Sequence, residues 1–544
     1  MRVALAQINP TVGNVEGNFK KIISSINKVD GKADLIVFPE LSLSGYPPED
    51  LVLKPSFLNE VSKYLEKIKE YVSKRNIAIL VGAPIKDKKN IYNAGIFIFK
   101  NNMHYVYKNK LPNYGVFDEK RIFKRGKRYN VLNFKSYRIG VLICEDMWFD
   151  GLPKYLKNQG ANIFISINAS PFENFKFEIR KRVSSQLIKK NKVPLIYLNQ
   201  VGGQDELVFD GNSFFMNKHG EIIEQCYPWK EDLKVIKINS KRLSKVSNNL
   251  SNIYNNIDFN TWSALTLGLK DYFKKNSFNK IVLGLSGGID SAVSAAIAVD
   301  AVGCRNVIGI MMPSKYSSKG SVNDAMISAR LLNIQTRLFN IKDIHKSYLI
   351  KFQKSFSDNI KSLTDENLQS RIRGAVLMAF SNNFSYLLIS TGNKSEMSVG
   401  YSTIYGDMNG GFNVLKDVYK TDLYRLARWR NNLKLKYFKG PKGNVIPKNS
   451  IIKSPSAELK PDQKDTDSLP PYDILDKILY SIIEEELSVK EIVRKGFKDN
   501  IVNKISNLVF KSEYKRRQAP PGVKLSSKSF GKERRYPITN KFKN

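Results

Sequence analysis

Cysteine and histidine are the scarcest reactive residues in this 544-residue chain: three of each, Cys144, Cys226 and Cys304 against His104, His219 and His345. Cysteines so far apart, with no CxxC pair, exclude a disulfide framework and a zinc cage. The histidines lack metal-ligand spacing, and their contexts offer no Cys-His pair, so nucleophilic chemistry at a cysteine needs a carboxylate as its base. No run approaches the ~18 uninterrupted apolar residues of a membrane span. The opening Met1-Arg2-Val3-Ala4-Leu5-Ala6-Gln7 meets polar residues too early for a secretory signal. The expectation is a cytoplasmic protein without a membrane partner. Acid is also in deficit, with 50 Asp and Glu against 88 Lys and Arg and a formal charge of +38. Such a balance would suit a polyanion. The basic residues are spread over the whole chain, however, with no zinc finger and no RNP-like aromatic set. They are read as a lysine-rich surface serving a phosphate-bearing substrate, with no nucleic-acid partner.

What is present is a globular composition, 42% hydrophobic and 11% aromatic. The length exceeds what a single core supports, so two or more domains are expected. In the first part, short apolar runs at 3–8, 35–38, 78–81, 95–99, 139–143, 163–167 and 195–198 predict strands. Amphipathic stretches at 18–29, 56–74 and 177–190 predict helices. Residues 230–257 are polar and read as a connector. The pattern then restarts with strands at 280–285, 307–311, 336–339 and 387–389 and helices at 290–301 and 321–332. Strand–helix repeats of this length predict a parallel, doubly wound sheet. Residues 447–472, rich in Pro, Ser, Asp and Lys, read as a mobile loop, and 511–544 as a strongly basic tail.

The segment Gly284-Leu285-Ser286-Gly287-Gly288-Ile289-Asp290-Ser291 lies between a predicted strand and helix. Glycines allow close backbone approach, and free N–H groups at a helix start attract an anion. No Lys-Ser/Thr pair follows, so the loop is not a Walker A motif. Asp290 suits the helix dipole but would repel a phosphate, a conflict that a Mg²⁺ ion between them removes. The loop resembles the pyrophosphate loop of the ATP-pyrophosphatase family. A second cluster, Thr391-Gly392-Asn393-Lys394-Ser395-Glu396, follows the strand at 387–389, where ligands gather in such sheets.

With Glu366-Asn367-Leu368-Gln369-Ser370-Arg371-Ile372-Arg373, Tyr405-Gly406-Asp407-Met408, Pro455-Ser456-Ala457-Glu458-Leu459, Leu469-Pro470-Pro471-Tyr472 and Arg534-Arg535-Tyr536-Pro537-Ile538, these segments resemble the NAD synthetase family over 260–541. The resemblance implies adenylation of the nicotinate carboxylate of deamido-NAD by ATP, then displacement of AMP by ammonia. It further implies that the loop from Gly284 to Ser291, with Thr391, contacts ATP. Asn367, Glu396 and Lys515 would contact deamido-NAD, with Mg²⁺ at Asp290 and Glu396.

In the first half, Val141-Leu142-Ile143-Cys144-Glu145-Asp146 sets Cys144 at a strand end, where reactive side chains are displayed. Glu40 closes a second apolar run, Leu35-Ile36-Val37-Phe38-Pro39-Glu40. Lys110, in Tyr107-Lys108-Asn109-Lys110-Leu111-Pro112, could supply positive charge. Together with Phe117-Asp118-Glu119, these segments resemble the nitrilase (carbon–nitrogen hydrolase) family over 1–240. The resemblance implies Cys144 as nucleophile toward the γ-amide of glutamine, Glu40 as proton acceptor and Lys110 as oxyanion stabiliser. Glu119 would orient the site, and Tyr114, Ser170 and Lys176 would hold glutamine.

An amidase releases ammonia and a ligase consumes it, which gives a reason to join them. The expectation is an α/β chain: an N-terminal nitrilase-like αββα sandwich at 1–240, a linker at 241–259, and a C-terminal doubly wound, Rossmann-like ATP-pyrophosphatase domain at 260–544. Its substrates would be glutamine, ATP and deamido-NAD, and related enzymes imply a homo-oligomer. Other glutamine-fed ligases share the loop. The asparagine-forming kind has a cysteine directly after the initiator Met, where this chain has Arg2. The GMP-forming kind needs a Cys-His-Glu triad, which histidine poverty disfavours.

Overall fold

The computed structural model describes residues 1–127, 130–238, 255–356, 360–434 and 436–542. It divides into two compact units, Met1–Asn260 and Thr261–Asn544.

The first unit is built on two six-stranded sheets. One contains β1 (Arg2–Gln7), β2 (Leu35–Val37), β3 (Ala78–Asp87), β4 (Asn90–Phe99) and β5 (Asn102–Tyr107). The other contains β6 (Leu132–Phe134), β7 (Tyr137–Ile143), β8 (Ile163–Asn168) and β9 (Leu195–Asn199). After the hairpin β10 (Val201–Gln204) and β11 (Leu207–Asp210), β12 (Phe214–Met216) and β13 (Ile222–Gln225) complete the second sheet. The last strand, β14 (Asp232–Lys237), returns to the edge of the first.

Burial explains why the central strands read as apolar runs and not as alternation. In β1, Val3 and Leu5 pack with Val141, Ile165 and Ile196 of the opposite sheet. Ala4 and Ala6, on the other face, pack with Ile22 and Ile26 of α1 (Val15–Val29) and Val61 and Leu65 of α2 (Pro55–Ser73). Beyond the second sheet, Phe164 and Tyr197 pack with Leu156 and Leu187. Those leucines belong to α3 (Gly151–Asn158) and α4 (Lys176–Asn191). The layers are therefore helix, sheet, sheet, helix. Helix α1 starts where Asn14 accepts the Gly17 N–H at 2.9 Å, a cap that contributes about 1 kcal/mol.

In the second unit the sheet order is β17-β16-β15-β18-β19, with every pair parallel. The strands are β15 (Ile281–Gly284), β16 (Val307–Met311), β17 (Gln335–Leu338), β18 (Leu387–Ser390) and β19 (Phe412–Asn413). The chain runs outward from β15 to β17, then crosses back to β18 on the other side. The switch point falls between β15 and β18, at whose carboxyl ends ligands are expected. Loop 285–288 and segment 391–393 leave from those two ends.

Two readings need correction. The connector at 230–257 contains β14, paired antiparallel with β1 from Arg2↔Lys237 to Gln7↔Asp232. Only Ile236 of that edge strand is buried, so the apolar signal is weak. Residues 241–254 of the expected linker lie outside the described residues. Segment 447–472 carries a short helix, Lys448–Ile452, and a 3-10 turn, Asp465–Asp467. The basic tail is not simply solvated. Arg516, Lys524 and Arg534 are buried, paired with Glu513 or Glu533.

Candidate active sites in the two units

Cys144 stands where β7 ends and a 3-10 turn, Cys144–Trp148, begins. Its φ of 48° lies in the left-handed region, which non-glycine residues adopt at an energetic cost and mostly at functional turns. Asp146 holds the turn: its carboxylate accepts the N–H of Ile143 at 3.2 Å, Asn109 at 3.0 Å and Lys110 at 2.7 Å. Burial and the Glu40 carboxylate push the Cys144 thiol well above its ordinary range. At rest Cys144 is therefore a thiol, and any attack by its sulfur would need a base.

Glu40 is fully buried. Its Oε1 accepts from Asn93 Nδ2 at 2.7 Å and Lys108 Nζ at 2.6 Å, and its Oε2 from the Ala169 N–H at 3.0 Å. Lys108 also reaches Glu119 Oε1 at 2.8 Å, which accepts the Tyr46 hydroxyl at 2.9 Å. Burial disfavours the Lys108 ammonium, but Glu119 and Glu40 outweigh it, and its pKa stays well above the usual lysine value. Two carboxylates thus share one ammonium, and burial drives Glu119 upward.

The lysine at these carboxylates is Lys108, and Lys110 is elsewhere. The Lys110 ammonium lies 4.8 Å from the Phe149 ring centroid, and the residue is partly exposed. The window Tyr107-Lys108-Asn109-Lys110 offers two lysines of equal parity, and nothing in a single sequence separates them.

Tyr114 donates its hydroxyl to Glu145 Oε1 at 3.0 Å. Lys176, at the start of α4, has its ammonium 5.3 Å from the Trp148 ring centroid and acts electrostatically on Glu145. Ser170 sits in the segment between β8 and α4, next to the Ala169 N–H that binds Glu40. The buried Arg180 behind it escaped the sequence reading, because a lone arginine in a basic helix carries no signal.

In the second unit a cavity of 330 Å³ opens at the sheet's switch point. Gly284, Leu285, Ser286, Gly288, Ile289, Asp290, Ser291, Thr391 and Glu396 line it. The loop is tightly made. Gly288 N donates to Ser286 Oγ at 3.2 Å and Ser286 N to Ser291 Oγ at 3.3 Å. Gly287 has φ +80°, and a Cβ there would fall 2.2 Å from the Ser321 carbonyl oxygen. No other residue fits without shifting backbone. Asn367 and Lys515 do not line the cavity. Asn367 Oδ1 accepts from Thr403 Oγ1 at 3.0 Å, and Lys515 Nζ donates to the carbonyls of Gly400 and Ser402 at 2.7 and 2.6 Å. Both bind the turn whose Tyr401 and Ser402 line the space.

Asp290 does not stand alone with a phosphate to repel. Lys420 Nζ lies 2.6 Å from Asp290 Oδ2 and 3.1 Å from Glu396 Oε1. Asn393 Nδ2 donates to Asp290 Oδ1 at 2.7 Å and Asn393 Oδ1 accepts the Glu396 N–H, which caps helix Lys394–Val399. Lys420 lies 130 residues from Asp290 in the chain, and no local pattern marks it as the partner. Burial raises the Glu396 carboxyl against the pull of Lys420.

The donor set still suits a divalent cation. Asp290, Glu396, Asp407, Glu458 and Asp465 line the cavity against the cations Lys420, Lys453 and Arg373, so acid remains in surplus. Asp465 Oδ1 is buried without a hydrogen bond. Among the described residues no three His, Cys, Asp or Glu side chains already form a metal cage; substrate oxygens and water would complete one, as Mg²⁺ sites commonly require. Arg373 also lines the cavity. It donates Nε to the Met312 carbonyl at 3.1 Å, and burial lowers its pKa to about 10.

Comparison with known proteins matches residues 2–248 to the carbon-nitrogen hydrolase family and 261–519 to the NAD synthase family. The glutamine-dependent NAD(+) synthetase of Thermotoga maritima is 42% identical, with 100% of this chain and 99% of that one covered. That of Aquifex aeolicus is 42% identical with 100% of both covered. A solved structure of the Acinetobacter baumannii glutamine-dependent NAD+ synthetase, in complex with ADP, superposes with a TM-score of 0.76 at 40% identity, over 99% of this chain and 98% of that one. With the thiol, carboxylates and lysine of one unit and the glycine loop of the other, the full-length likeness places this chain in the family of glutamine-dependent NAD+ synthetases.

Proposed function

We propose the following division of labour for residues 1–240 and 260–544, joined by 241–259. Glutamine enters the first unit, where Tyr114, Ser170 and Lys176 hold its α-substituents. Glu40 takes the Cys144 proton as the sulfur attacks the γ-amide carbon. Lys108, in place of Lys110, offsets the charge on the tetrahedral oxygen, and Glu119 keeps Lys108 in position. Glu40 passes the proton to the leaving nitrogen, ammonia departs, and water cleaves the thioester to glutamate. The observation that carries this reading is the buried Glu40, joined to Lys108 on one oxygen and to the Ala169 N–H on the other. A base so held needs no reorganisation during the reaction.

In the second unit ATP would lie along Gly284 to Ser291 with its nucleoside near Thr391. Asn367, Glu396 and Lys515 would bind deamido-NAD, and Asp290 and Glu396 would hold Mg²⁺. When bound, that ion offsets phosphate charge. The nicotinate carboxylate attacks the α-phosphate, pyrophosphate leaves, and ammonia displaces AMP to give NAD. Lys420 and Arg373 add positive charge along the same wall.

A homo-oligomer is part of the proposal. All four residues of the edge strand β17 are exposed, and Leu338 in it, with Tyr348 and Phe356 further on, are exposed apolar side chains. An open strand edge and these side chains are what a second copy would cover. Three free cysteines favour a reducing compartment, here the cytoplasm.

The test of the second unit is Asp290→Ala. Glutamine-driven and ammonia-driven NAD formation should fall together, by on the order of 10²-fold or more, while glutamine hydrolysis persists. Retained synthesis with either nitrogen source would refute the assignment of Asp290.

A further inference from the structure

Behind the proposed glutamine site stands a charged residue to which no role has been given. Arg180 is four positions along α4 from Lys176 and fully buried. A guanidinium there must find acceptors for its N–H groups. Nη1 meets Asp210 Oδ1 at 2.7 Å. Nη2 donates to the carbonyls of Ser170 and Pro171, at 2.7 and 3.0 Å. Nε donates to the Ser170 hydroxyl oxygen at 3.2 Å. From the other side, Asn199 accepts the Ser170 N–H at 2.9 Å and donates to its carbonyl at 3.1 Å. Ser170 is therefore clamped through its N–H, its carbonyl and its hydroxyl, one residue from the N–H that binds Glu40.

The polarity of the Arg180 bond matters. A guanidinium has donors only, so its Nε–H occupies a lone pair on Ser170 Oγ. The hydroxyl hydrogen must then be given to another acceptor, for which the buried Tyr197 hydroxyl beside it is the protein's own competitor. The α-carbon of glutamine offers two charged groups: an ammonium, which only donates, and a carboxylate, which only accepts. A hydroxyl held as a donor distinguishes them.

We propose that Arg180 is a positioning residue for substrate selection, which fixes Ser170 as a hydrogen-bond donor aimed at the α-carboxylate of glutamine. The proposal rests on the reading of Ser170 as part of the glutamine site. Arg180 touches no substrate and acts through Ser170. Asp210 is its anchor, and without that carboxylate the guanidinium has only neutral partners.

The test is steady-state amide hydrolysis by the full chain on two substrates. One is glutamine. The other is 4-aminobutyramide, which carries the amine and amide without the carboxylate. Arg180→Lys keeps a cation for Asp210 but cannot reach the Ser170 hydroxyl and two carbonyls together. Its KM for glutamine should rise about tenfold, the loss of one charge-assisted hydrogen bond. Its kcat should change much less, and its KM for 4-aminobutyramide little. Ser170→Ala should raise KM for glutamine similarly, and Arg180→Lys added to it should have almost no further effect, because both remove the same interaction.

Equal KM increases on both substrates, or effects that multiply in the double variant, would overturn the proposal. If Arg180→Lys melts too early to assay, Asp210→Asn loosens the anchor with Arg180 in place and should give the same substrate-selective rise; an unselective rise again overturns the proposal. The two levels separate cleanly. Ser170→Ala with unchanged KM defeats the glutamine-site reading itself. Ser170→Ala with raised KM, beside Arg180→Lys without effect, defeats the role of Arg180 alone.

Discussion

Cys144→Ala will lower glutamine-driven NAD formation by on the order of 10⁴-fold or more, while ammonia-driven formation stays within about twofold of the parent. The two rates part because the substitution touches only one of two chemistries. The sulfur is the atom proposed to attack the amide, and alanine offers nothing in its place. The rest of the site should survive. Alanine keeps the Cβ and can adopt the backbone conformation that Cys144 already holds. The turn is fixed by Asp146 through three backbone N–H groups, none of which involves the sulfur. The cavity left by one sulfur is small, so stability should fall by no more than about 1–2 kcal/mol. The measurement is paired NAD production with glutamine or an ammonium salt as nitrogen source. Equal loss with both would mean that the thiol supports the whole fold or that Cys144 is not the nucleophile.

Lys108→Met will cost glutamine hydrolysis about 10²–10³-fold, whereas Lys110→Met will stay within a few-fold. The contrast follows from where each ammonium ends. Lys108 is 1% exposed and lies between Glu40 and Glu119. Its removal takes away the charge proposed to face the oxyanion and leaves two buried carboxylates without a cation, a defect of about 3–5 kcal/mol. One carboxylate will then keep a proton, and Glu40 in that state cannot act as a base. Lys110 is partly exposed, and its contact with the Phe149 ring contributes only about 0.5–1 kcal/mol. Its structural part is played by the backbone N–H on Asp146, which methionine retains. Hydrolysis rates, read beside thermal melting of both variants, settle the comparison. Severe loss in Lys110→Met with a mild effect in Lys108→Met would restore the assignment drawn from the sequence.

That reversal shows where the sequence was readable. The strands carrying Cys144, Glu40 and the glycine loop are buried on both faces, and their apolar runs could be located to within a residue or two. A residue at the end of such a run is legible, because the run itself points to it. Lys108 and Lys110 follow a strand that is exposed over much of its length, so no burial pattern marks which lysine turns inward. Lys420 posed a different problem. Its partner Asp290 is brought near only when the sheet crosses back from β17 to β18, and such a contact leaves no trace in local spacing. With Lys420 out of view, a metal is the one cation that local spacing offers Asp290. The site now contains its own cation, and the case for Mg²⁺ rests on the remaining surplus of carboxylates. The edge strand β14 was lost for the reason that edge strands often are: one face is wet, and Asp232, Lys234 and Lys237 interrupt the apolar pattern. Burial within the basic tail was not legible either, since lysines and arginines paired with Glu513 and Glu533 look the same in a sequence as solvated ones.

The claim on which all of this depends is that nitrogen released at Cys144 becomes the carboxamide of NAD. Glutamine labelled with ¹⁵N at its amide, supplied with ATP, Mg²⁺ and deamido-NAD without added ammonium, allows a direct reading by mass spectrometry of the product. The account predicts NAD that carries ¹⁵N in its carboxamide. Unlabelled NAD, or none formed from glutamine at all, would contradict it.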